Sequence, residues 1–85
     1  MQTETLLAHL ENLLPVCPAP YVNDVRSTIE TLKGFEIIFA EGLDDAADQV
    51  ALFDVVEDTR ELLNEVEFDL PMQHWGIVQQ ARLAL

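Results

Sequence analysis

The sequence is short of the residue types that most often carry chemistry or close a loop. Cys17 is the only cysteine in 85 residues, which excludes an internal disulfide and a cysteine-based zinc site. A lone thiol fits a reducing compartment, and a cytoplasmic location is expected. Held between Pro15 and Pro18, Cys17 reads as a half-buried loop thiol rather than a nucleophile. Glycine occurs only at Gly34, Gly42 and Gly76, so no phosphate-cradling loop exists. His9 and His74 are not spaced to pair with each other or with Cys17, and no constellation for nucleophilic catalysis is visible. The expectation is a non-enzymatic protein with no catalytic residue, metal site or cofactor. No apolar run approaches the roughly 20 residues that cross a bilayer. The start, Met1-Gln2-Thr3-Glu4, lacks the basic region of a secretory signal.

Positive charge is also scarce. Four Lys and Arg stand against 16 Asp and Glu, giving a formal net charge of −12 and a pI near 4.1. That balance argues against direct binding to nucleic acid, whose phosphates demand cations, and against anionic membrane surfaces. The charge is concentrated: Glu36 to Asp69 holds twelve acids and one base, Arg60.

Apolar side chains, by contrast, are plentiful. The hydrophobic share is 49% and mean hydropathy is +0.13, which argues against disorder despite the charge. Leu, Ile, Val and Phe number 29, more than a compact chain of this size easily hides. Burial against another chain, as a homodimer or with a protein partner, is therefore expected. Residues 1–85 are read as one helical domain near the small end of what folds alone.

Periodicity predicts an all-α fold, a small bundle of about four helices. Leu6, Leu7, Leu10, Leu13 and Leu14 stripe a first helix over 3–14, with Thr3 as its expected cap. Pro15, Pro18 and Pro20 enforce a connector. A second helix starts near Pro20 to Asp24 and runs to Glu41, with Val25, Thr28, Ile29, Leu32, Phe35 and Phe39 on one face. Gly42 is placed as its left-handed cap, with Leu43 packing back after it. Asp44 caps a third helix reaching about Glu65, with Leu52, Val56, Thr59, Leu63 and Val66 on one side. A linker over 66–70 leads to Pro71. The last helix runs from Met72 and carries Trp75, Val78, Ala81, Arg82 and Leu85 on one side. The alternative is α+β: β-branched and aromatic segments at residues 35–40 and 65–70 have the composition of a minor two-stranded sheet.

Two faces are candidate partner sites. Asp54, Glu57, Asp58, Glu61 and Glu65 form an acidic arc on the third helix, where like charges at neighbouring positions repel. Such an arc confers solubility or meets a basic partner. Phe35, Ile37, Ile38 and Phe39 make the second helix apolar nearly all round in its last turns, an expected partner or dimer contact. Glu36 falls on the core-facing side of that segment, where a bare carboxylate is costly. Lys33, Arg60 or a place at the core's edge would resolve it.

Other readings follow from the acids. Carboxylates spaced along a helix imitate a phosphate array, as in a nucleic-acid mimic or phage-type inhibitor of a nucleic-acid-binding protein. Asp54/Glu57 and Asp58/Glu61 are loosely similar to the paired-carboxylate helices of magnesium-dependent all-α nucleotide pyrophosphohydrolases. Arg60 alone is a poor clamp for a triphosphate. Asp44-Asp45-Ala46-Ala47-Asp48 resembles the aspartate-rich motif of isoprenoid synthases, but those enzymes need a large cavity and a second magnesium region. Acids opening a helix, where its dipole favours anions, account for this segment.

Overall fold

The computed structural model describes residues 2–42 and 45–85. Four α-helices and no strand occur among them: α1 (Thr3–Leu13), α2 (Val22–Ala40), α3 (Ala46–Asp69) and α4 (Trp75–Ala84). The protein is an all-α bundle; residues 35–40 and 65–69 are helical, and Leu70, though extended, pairs with no strand among the described residues. The apolar positions of α2 stay in helical phase from Val25 through Ile29 and Leu32, so the β-branched turns continue a helix already anchored in the core.

The connections follow from proline. Short 3₁₀ turns at Leu14–Val16 and Ala19–Tyr21 each take a proline in their first positions, where its missing N–H costs nothing. The α-helical part of the second element therefore begins at Val22. A third such turn, Met72–His74, precedes α4, which starts at Trp75 rather than Met72. Leu70 is extended (ψ 138°) before Pro71. The Trp75 indole N–H donates to the Leu70 carbonyl at 2.8 Å and closes the α3–α4 corner.

Further boundaries, at α1 and α3, differ from the sequence expectation. Thr3 does not cap α1; Gln2 occupies that position without a side-chain bond, and its N–H donates to the Ala84 carbonyl at 2.9 Å. The first helix thus begins against the end of α4 instead of on its own cap. Helix α3 continues past Glu65 to Asp69, and the linker expected over 66–70 is helix as far as Asp69. Val66 packs in the core one turn after Leu62 and Leu63, and nothing breaks the backbone before the Leu70–Pro71 pair. Gly42 does take the left-handed conformation, with φ 70° and its N–H on the Phe39 carbonyl. Asp44, the expected cap, and Leu43, the residue expected to pack back, lie outside the described residues. Asp45 serves as cap: its carboxylate accepts from the Asp48 N–H at 3.0 Å, and Asp48 accepts in return from the Asp45 N–H at 3.2 Å. Asp45 and Asp48 thus open a helix, as anions near its positive end should.

The core occupies one end of the molecule. It joins Leu6, Leu10 and Leu13 of α1, Val25, Ile29 and Leu32 of α2, Leu63 and Val66 of α3, and Val78 and Ala81 of α4. Among the described residues α2 has no buried side chain after Leu32, and α3 has none before Thr59. The 24-residue α3 alone accounts for most of the 40 Å long axis, against about 20 Å across. The second half of α2 and the first half of α3 therefore form a hairpin without fully buried side chains, although Leu52 and Val55 of α3 still pack against the core. Thr59, the one buried polar residue among those described, satisfies its hydroxyl on the Val55 carbonyl at 2.6 Å.

Candidate functional site

Exposed apolar side chains stand in the hairpin and outside it, where Phe68 (89% exposed), Leu83 (78%) and Met72 (73%) are the most exposed among the described residues. Ile37 is 59% exposed, and Val50 and Phe53 of α3 are each 64% exposed. Phe35 and Phe39, one turn apart, stack with ring centroids 6.1 Å apart and are half-buried. Ile38 is also half-buried. The four apolar residues expected to act as one surface are thus divided. The two rings pack on each other, while Ile37 turns into a shallow groove between α1 and α2. Val50 lies on the side of α3 opposite the Leu52 and Thr59 stripe, whereas Phe53 borders the same groove as Leu52 and Val56.

The α1–α2 groove has an apolar floor of Leu7, Ala8 and Ile37. Glu4, Glu11, Lys33 and Glu36 surround it. Lys33 reaches Glu11 at 3.6 Å, so the rim remains anionic. Glu36 stands exposed on this rim, at the core's edge. The core stops at Leu32, one turn before it, which removes the desolvation that burial would have imposed.

The acidic arc keeps all five members exposed on α3. Asp58, Glu61 and Glu65 line a groove against α2, joined there by Asp24, Ser27 and Thr28. Asp54 shares their helical row, four residues before Asp58. Glu57 lies at the arc's edge and pairs with Arg60 at 4.0 Å, beside the groove that Leu52, Phe53 and Val56 form with Leu85. Asp24 is the acid that sequence reading missed. An available signal is the turn itself: Asp24 and Glu61 stand 18 and 19 residues from Gly42, so an antiparallel hairpin folded there brings them level.

Two further polar links hold the surfaces in place. Arg82 donates to Glu67 and to Asn64, both at 2.7 Å, pinning α4 to α3. The Tyr21 hydroxyl donates to Asp69 at 2.6 Å, tying the start of α2 to the end of α3. That bond, together with modest desolvation and the negative charges of Asp69 and Glu65, pushes the phenol above its ordinary pKa. Burial pushes the Cys17 thiol up, and its S–H is directed to the Pro18 carbonyl at 3.6 Å. Among the described residues, no group of three or more His, Cys, Asp or Glu is placed to hold a metal ion. No described helix is long and apolar enough to cross a membrane.

No family model, curated protein or solved structure matches this chain.

Proposed function

We propose that this is a small, non-enzymatic protein–protein interaction module of the cytoplasm that self-associates through the hairpin end and presents its acidic faces to a basic protein surface. The observation that carries the reading is the exposure of Val50 and Phe53 on the half of α3 that has no fully buried side chain. Covering a Phe and a Val that are otherwise wet is worth on the order of 2 kcal/mol each. In the monomer most of both side chains stays wet. The acidic row Asp54, Asp58, Glu61 and Glu65, with Asp24 across the groove, supports the electrostatic half of the reading.

Sedimentation at micromolar concentration tests self-association. A dimer is expected, and Phe53→Asp should return it to monomer with its helical circular dichroism intact. A wild-type chain that sediments cleanly as a monomer across that range would remove the homodimer. Steep loss of affinity with salt for a captured DNA-binding protein would move the acidic row to the nucleic-acid-mimic reading. A melting temperature raised by millimolar magnesium would reopen the hydrolase reading.

A further inference from the structure

We propose that the α1–α2 groove is a docking site for a basic amphipathic helix. This deepens the interaction-module reading by naming a partner chemistry for one groove, and it does not depend on self-association. The floor supplies the apolar half of the recognition: Leu7, Ala8 and the exposed Ile37 lie in one trough between two helices. The rim supplies the other half. Glu4, Glu11 and Glu36 stand around that floor, and the single cation there, Lys33, is already held by Glu11 at 3.6 Å.

An occupant must therefore present apolar side chains inward and cations at its margins. Both walls are α-helices whose backbone groups bond within themselves, so an extended peptide finds no edge to pair with. A third helix laid along the trough needs no such edge and matches ridge-into-groove packing. A second copy of this chain is a poor occupant. It carries −12 overall, and three of its four Lys and Arg side chains are engaged internally, at Glu11, Glu57 and Glu67. Juxtaposed rims of like charge repel.

The test uses the full chain and a labelled synthetic helix of about 16 residues, long enough to run about 24 Å along the groove. It carries Leu at every third or fourth position and Lys or Arg on both flanks. Fluorescence anisotropy is read against a scrambled peptide of identical composition. Binding of the amphipathic peptide at least about tenfold tighter than the scramble is expected, weakening as salt rises from about 50 to about 300 mM. Ile37→Asp and Glu36→Lys should each weaken it about tenfold or more. Phe53→Asp should leave it unchanged while altering sedimentation, which separates this site from the self-association surface. Equal binding of the scramble would overturn the proposal, because only the overall charge would then be acting. So would a loss on Phe53→Asp with none on Ile37→Asp. Circular dichroism verifies that each variant folds. If Ile37→Asp does not, methyl shifts of Leu7, Ala8 and Ile37 in the wild-type chain on adding peptide decide the question, and unmoved methyls refute the site.

Discussion

At the scale of residues, Tyr21 offers a direct titration. Its hydroxyl donates to Asp69, and ionising it would set two anions 2.6 Å apart. The folded-state pKa is raised above the unfolded value of about 10. Its contribution to stability is therefore complete below about pH 10 and is lost as pH rises through the folded value. Tyr21→Phe should lose that alkaline decline relative to wild type in urea titrations. As Tyr21 is the only tyrosine, tyrosinate absorbance reports it without overlap, and a midpoint at or below about 10 would contradict the assigned bond. Cys17 is expected to alkylate more slowly than a free thiol at mildly alkaline pH, because burial disfavours its thiolate. Equal rates in native and urea-unfolded chain would contradict this.

Among the elements, α3 has two halves held by different means. From Thr59 onward it is fixed by Leu62, Leu63 and Val66 in the core. Before that point it rests on the Asp45–Asp48 capping box and on half-buried contacts. Leu63→Ala should cost about 2–5 kcal/mol in global stability, measured by denaturant unfolding. Asp45→Ala removes a cap worth about 1 kcal/mol. Because the hairpin end adds little to the core, that loss should appear as amide exchange roughly fivefold faster over residues 46–52, with a smaller change in the unfolding midpoint. A full global loss would mean the hairpin end unfolds together with the core.

For the whole molecule, charge opposes compactness. Ion pairs at Lys33–Glu11, Arg60–Glu57 and Arg82–Glu67 engage three of the four cations, so most acids among the described residues face solvent with no ion pair to offset them. Added monovalent salt, with a screening length of about 10 Å at 0.1 M, is expected to raise the melting temperature by relaxing repulsion along α3 and across the Asp24 groove. A fall with salt would show that attractive pairs dominate instead.

Local pattern was enough for helix type and for much of the core. The Leu6, Leu10 and Leu13 stripe, the Val25, Ile29 and Leu32 stripe and the glycine turn at Gly42 each follow from side-chain period or backbone freedom, which neighbours in sequence decide. The acidic arc was readable for the same reason, since helical spacing alone puts its members on one side. Other features depended on partners distant in sequence. Helix α3 runs on to Asp69 because Val66 and Leu70 find the core. Glu36 escapes burial because the core ends one turn earlier at Leu32. Asp24 joins the acidic groove only when the hairpin closes, and Ile37 parts from Phe35 and Phe39 only when α1 supplies a second wall. Periodicity fixes which side of a helix a residue occupies; where along the helix its neighbours begin and end is settled by packing alone.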